Sequence, residues 1–116
     1  MMKVSKNMEQ NYKIFCKSIK EIPFEDFEKR FNNTKFYLIG DKGLVTITDR
    51  NEIGYGIIPE HRRKGLARNA IKELMKVEPR KYYWALIDKD NEVSMRFIQS
   101  MNFVPRGISY GFNTAE

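Results

Sequence analysis

The amino-acid sequence predicts a single α/β (α+β) domain over residues 1–116, with elements in the order β-α-β-β-β-α-β-α-β-β. Three observations predict it. Runs rich in β-branched and aromatic residues are separated by short turns of Gly, Pro, Asn and Asp. Leu66, Ala67, Ala70, Ile71, Leu74 and Met75 recur with the period of a helix that has one apolar face. A chain of 116 residues supports one core rather than two, and no repeat or linker interrupts it.

Taken in order, residues 12–19 are β-rich and read as a first strand. Pro23 suits the first turn of a helix, and Phe24, Phe27 and Phe31 at i, i+3 and i+7 carry it to about residue 32, where Asn32-Asn33 ends it. Residues 35–40 and 44–48 form a hairpin across Asp41-Lys42-Gly43. Residues 52–58 are the next strand, stopped by Pro59. Gly54 and Gly56 inside it mark a bulge or a close backbone approach. Residues 65–78 form the clearest helix, with Arg68, Asn69, Lys72, Glu73 and Lys76 on its wet face and Pro79 forbidding continuation. Residues 82–87 are apolar or aromatic throughout, which predicts a strand buried on both faces. Asn91 caps a last helix to about residue 101, with Val93, Met95, Phe97, Ile98 and Met101 as its apolar set. Residues 103–104 and 108–112 close the chain as a hairpin around Pro105-Arg106-Gly107.

Composition narrows the function. Cys16 is the only cysteine, so no intramolecular disulfide forms, which points to a reducing, cytoplasmic setting. Its place in Ile14-Phe15-Cys16 suits a small packed residue better than a nucleophile. Residues 1–10 are polar and lack the apolar stretch of a signal peptide, and no segment reaches the roughly 18 apolar residues of a membrane span. His61 is the only histidine, which excludes a metal site built on histidines, and no metal is expected. The net charge of +6 is local: residues 61–81 hold eight Lys and Arg against two acids, and the remaining 13 bases and 13 acids cancel. That concentration predicts an anion site, for a phosphorylated ligand or a nucleic acid.

The charge surrounds Arg62-Arg63-Lys64-Gly65-Leu66-Ala67, a strand-loop-helix junction. A helix N-terminus offers unpaired N–H groups and the positive end of the dipole, and the small residues Gly65 and Ala67 let an anion approach them. Neither G-x-G-x-x-G nor G-x-x-x-x-G-K-[ST] occurs, so dinucleotide-fingerprint and P-loop proteins are excluded. The residues alone allow a phosphate-bearing ligand at this helix or a solvated basic turn.

These residues resemble the R/Q-x-x-G-x-G/A pyrophosphate loop of the GNAT acetyltransferase superfamily. The strand before them, 53–58, resembles its fourth strand. Asn91, Ser94 and Arg96 fit its N-x-x-S-x-R helix start, and Phe103 with Gly107 fits the G-F…G that follows. The combination is most similar to the Rim-type ribosomal-protein N-acetyltransferase branch and covers about residues 35–112. Three departures stand out: Asn102 replaces the usual glycine, Ile98 replaces a tyrosine that protonates the leaving thiolate in many relatives, and one helix rather than two is expected before the hairpin.

The resemblance implies a central mixed, mostly antiparallel sheet flanked by helices, with the strand at 52–58 splayed from its neighbour at a bulge expected at Gly56. It implies acetyl-coenzyme A (acetyl-CoA) as cofactor. Ile57 and Ile58 would pair with its pantetheine arm, and Arg62, Arg63, Lys64, Gly65, Leu66, Ala67 and Arg68 would hold its pyrophosphate. Asn91 would contact the coenzyme, and Ser94 its sulfur. Glu52 stands near the place of a glutamate base and Ser94 at that of an acid, against plain alternatives as a strand-end carboxylate and a helix-cap serine. His61 reads as solvated or phosphate-adjacent. Tyr82, Tyr83 and Trp84 read as core, or as lining a cleft, and Tyr110 as a residue bordering the acceptor. The implied activity is transfer of acetyl to a primary amine, on a protein, peptide or small molecule, with a protein N-terminus or lysine preferred and a short, open N-terminal region in support. The protein is expected to be a monomer or homodimer without a membrane partner. A non-catalytic acetyl-CoA-binding protein and a nucleic-acid-binding module are the alternatives. The second is disfavoured because the cations flank a glycine loop instead of lining one groove.

Overall fold

The computed structural model describes residues 2–114. Its elements are β1 (Val4–Ser5), α1 (Met8–Ser18), α2 (Phe24–Arg30), β2 (Thr34–Ile39), β3 (Gly43–Thr48), β4 (Ile53–Ile57), a 3-10 turn (Pro59–His61), α3 (Leu66–Val77), β5 (Tyr82–Ala85), α4 (Glu92–Ser100), β6 (Val104–Arg106) and β7 (Ser109–Asn113).

The strand expected at 12–19 is instead the body of α1. Asn7 caps that helix by accepting from the Gln10 N–H, and its buried residues Asn11, Ile14, Phe15 and Ser18 fall at i, i+3, i+4 and i+7. Helical period and cap together outweigh the β propensity of Tyr12, Ile14 and Phe15. Two helices, not one, therefore precede the hairpin, and the N-terminal region is not the reduced, open one that the sequence suggested. The helix expected from Pro23 forms as α2, with Pro23 at its N-cap and the positive φ of Asn33 (56°) just beyond its end.

The strands form two antiparallel sheets, β1-β2-β3-β4 and β5-β7-β6. Among the described residues one parallel bridge, Glu52 to Trp84, joins them, with the Trp84 N–H donating to the Asn51 carbonyl at 3.1 Å. Beyond that point β4 and β5 diverge. The bulge expected at Gly56 is absent: the β3–β4 register runs unbroken from Ile47–Ile53 to Gly43–Ile57. Gly56 is instead a close approach. A Cβ there would lie 2.5 Å from Ile19 Cγ1 and 2.8 Å from Ser18 Oγ, so the bare backbone lets the end of α1 rest on β4.

Side-chain alternation along the strands gives the large sheet two cores. Tyr37, Val45, Ile47 and Ile53 face α3 and α4 and pack with Ile71, Leu74, Tyr83 and Ile98. Phe36 and Leu44 face α1 and α2 and pack with Ile14, Phe15 and Phe27. Cys16 joins the edge of this second core, from a helix rather than a strand. Burial on both faces fails for 82–87: Tyr83 and Ala85 are buried, Tyr82 and Trp84 are half-buried, and Leu86 is 57% exposed. Beyond the bridge at Trp84 the end of β5 is paired on one edge only, with β7. Glu78 is buried at the end of α3. Burial pushes its carboxyl up, but hydrogen bonds from Tyr37, Lys35 and Arg80 outweigh this and hold it below the usual glutamate range.

Candidate active site

Two adjoining cavities lie where β4 and β5 diverge. The first, a cleft of about 780 Å³, is bounded by the open edge of β4, the end of α1, the loop from His61 into the first turn of α3, and the start of α4. The second, a trough of about 320 Å³, lies on the α1/α2 face. Its floor carries Thr34, Thr46, Thr48, Glu52 and Gly54, its walls Phe15, Phe31 and Leu86, and Arg30 lines it as well. Ile19, Tyr55, Asn91 and Ser94 line both cavities and mark where they meet.

The open edge of β4 follows from strand parity. The Ile58 N–H donates to Lys42 and the Thr48 N–H donates to Glu52, so even-numbered residues pair with β3. The amides of Tyr55 and Ile57 face the other edge, towards the cleft. Ile57 lines the cleft. Ile58 does not: its amide is paired with Lys42 and its side chain is buried in the second core. The pairing alternation that turns one residue outward turns the next one in.

Gly65 is the N-cap of α3, with φ of 76° and no side chain capping the helix. The first-turn amides are thus left for something outside the helix, at the rim of the cleft. Arg63, Gly65, Leu66, Ala67 and Arg68 all line the cleft, whereas Lys64 does not. Arg62 lines it too, but its guanidinium is engaged: Nε donates to Ile57 O at 2.9 Å and Nη2 to Ser18 O at 3.2 Å. Arg62 is a strut between α1 and β4 that lends its charge to the cleft. Arg68 donates to Ser100 Oγ at 2.7 Å and lies over the Phe97 ring, joining α3 to α4. His61 lines the cleft, and its Nδ1 is buried without a partner among the described residues.

Asn91 caps α4 by accepting from the Ser94 N–H at 3.0 Å. Capping places Ser94 in the first turn, where its hydroxyl meets the phenol of Tyr55 across the divergence. The sequence reading missed Tyr55. The signal was its position between two glycines, which strips the neighbouring bulk from β4. Burial raises the Tyr55 phenol above its ordinary pKa, with the Ser94 hydrogen bond opposing. Ile98, by contrast, is fully buried in the core, away from both cavities.

Glu52 lies in the trough at the bridge where the sheets part. Burial raises its carboxyl above the ordinary glutamate range, and Arg30 partly opposes this. Tyr82, Tyr83, Trp84 and Tyr110 line neither cavity. Tyr83 is core, and Trp84 donates its indole N–H to Arg50 O at 2.9 Å. Ile19, Leu86 and Val93 are among the large apolar residues left exposed, and each lines a cavity. No metal-binding cluster occurs among the described residues, and none of their helices is long and apolar enough to cross a membrane.

The family described as "Acetyltransferase (GNAT) domain" matches residues 3–104. No curated protein matches the chain in sequence. Among solved structures, a chimera of the Vibrio cholerae spermidine N-acetyltransferase SpeG and hSSAT superimposes with a TM-score of 0.76 at 14% identity, covering 97% of this chain and 96% of that one. The Escherichia coli ribosomal-protein-S18-alanine N-acetyltransferase gives 0.74 at 14%, covering 100% and 96%. An N-acetyltransferase from Staphylococcus aureus gives 0.65 at 16%, covering 97% of each. At such identities the likeness is one of fold.

Proposed function

The chain belongs to the acetyltransferase (GNAT) domain family, and on that premise we propose that it transfers the acetyl group of acetyl-CoA to a primary amine in a ternary complex. The carrying observation is the pair of adjoining cavities that share Tyr55 and Ser94 as lining residues. One entrance would take the donor and the other the acceptor, so both partners reach one point without passing each other.

The cleft fits the donor. Its uncapped α3 N-terminus and the cations Arg62, Arg63 and Arg68 suit a diphosphate, and Lys64 adds to the field from outside the lining. The outward amides of Tyr55 and Ile57 suit a ligand that pairs like an added strand. Bound acetyl-CoA supplies an activated acetyl thioester. The Ile57 N–H would polarise its carbonyl, and Val93 and Phe97 would cover its apolar stretch.

The trough would take the amine. A lysine-type amine, with pKa about 10.4, must lose a proton before it attacks. Glu52, desolvated and therefore more basic than a free glutamate, would accept that proton directly or through water. Arg30 lines the same trough and disfavours further ammonium groups on the acceptor. We therefore favour a protein N-terminus or a lysine side chain over a polyamine such as the spermidine named for the Vibrio relative.

Calorimetry with acetyl-CoA tests the donor site. Gly65→Glu should abolish binding by placing bulk and negative charge at the α3 N-terminus, while Gly65→Ala, which carries a comparable positive-φ strain, should retain most of it. Equal affinities for the two variants would refute the assignment. Coenzyme release with a panel of peptides and amines tests the transfer.

A further inference from the structure

We infer that Tyr55 and Ser94 act as one hydroxyl pair on the coenzyme's sulfur, with Tyr55 the source of the proton that the leaving thiolate takes up. The inference rests on the reading that the cleft binds coenzyme A, and deepens it.

Tyr55 and Ser94 carry the hydroxyl groups at the meeting point of the two cavities; Ile19 and Asn91 are the other residues that line both. Among the described residues, the hydroxyls of Tyr55 and Ser94 have no hydrogen-bond partner but each other. Two hydroxyls own two hydrogens, and one bridge uses one of them. The second is left to donate into the junction. Asn91 fixes Ser94 through the α4 cap, and Phe97 fixes the Tyr55 ring edge-to-face at 5.2 Å. The pair is thus a prepositioned donor.

Acidity decides which member supplies the proton. Even raised by burial, a phenol lies closer to a thiol than an aliphatic hydroxyl does, which does not titrate in the protein range. The amine nitrogen bonds to the acetyl carbon, and the carbon–sulfur bond breaks with its electron pair going to sulfur. Sulfur takes a proton from Ser94 Oγ as Ser94 takes that of Tyr55. The acceptor ammonium loses two protons, one before attack and one as the amide forms; Glu52 passes each in turn to water, and water returns one proton to Tyr55.

Titratable and charged groups line the cavities on either side of the pair: Glu52, Asp88 and Arg30 in the trough, and His61, Arg62, Arg63 and Arg68 in the cleft. They shift absolute affinities, so the test compares ligands that differ only at sulfur. Coenzyme A and desulfo-coenzyme A are titrated calorimetrically into the wild type, Tyr55→Phe and Ser94→Ala from about pH 7.5 to about pH 9.5, across the ordinary thiol range. The wild type should increasingly prefer coenzyme A as the thiol ionises, because a charge-assisted hydrogen bond then forms. Each variant should lose about tenfold of that preference at the upper end and bind desulfo-coenzyme A as the wild type does. A tyrosine serving only packing would alter both ligands alike or neither, and an undiminished preference in Tyr55→Phe overturns the inference. Wild type that binds both ligands equally at every pH overturns the hydroxyl pair alone. Wild type that binds neither removes the cleft assignment, and the inference with it.

Discussion

Glu52 illustrates how position changes the chemistry of a common residue. At a free strand end it would be an ordinary carboxylate. Here it sits at the bridge between two sheets, where burial favours its neutral form and Arg30 favours the charged one. The net shift is upward, so the active, deprotonated form appears at a higher pH than for a free glutamate. The acid limb of the kcat–pH profile should accordingly lie above the ordinary glutamate value of about 4.3. Arg30→Ala should move that limb higher still, because it removes the opposing charge. Glu52→Gln should lower kcat by about a hundredfold or more, the usual scale for a general base. A profile flat through this region, or full activity in Glu52→Gln, would remove Glu52 from the reaction.

At the scale of elements, the end of α1 matters as much as the phosphate-loop helix. Ser18 and Ile19 rest against Gly56, and Arg62 fastens the Ser18 and Ile57 carbonyls together. Ile19 then forms part of the wall where the cavities meet. Gly56→Ala leaves the backbone conformation open to alanine but drives a methyl group into Ile19 Cγ1. Separating α1 from β4 should cost about 1–3 kcal/mol of stability in a denaturant titration and raise KM for acetyl-CoA. A variant as stable as the wild type would show that α1 yields without strain. The nature of α1 was also the hardest element to read. Its helical pattern places Asn11 and Ser18, two polar residues, on the buried face, so a count of apolar side chains sees only Ile14 and Phe15. Asn11 is tolerated there because it bonds to Ser5, an element away.

Over the whole molecule, the decisive feature is that two sheets share one bridge. An unbroken seam between β4 and β5 would have consumed the amides that now face the cleft. Acetyl-CoA should therefore slow amide hydrogen exchange at Tyr55, Ile57 and the first turn of α3. Gly54 and Gly56, already paired to β3, should change little. Uniform protection along β4 would indicate a rigidified strand rather than ligand pairing at one edge. The exposed apolar side chains of Ile19, Leu86 and Val93 line the cavities at the same divergence.

Local chemistry made much of this legible in advance. The glycine at 65, the cations around it, the period of α3, the cap at Asn91 and the turn residues of both hairpins act through neighbours in sequence, so residue order alone implies them. The Tyr55–Ser94 contact, the seating of α1 on Gly56 and the strut of Arg62 join residues 39, 37 and 44 positions apart. No local pattern encodes such distances. They exist because the strands diverge after Glu52, and that divergence is set by how two cores pack on opposite faces of a sheet.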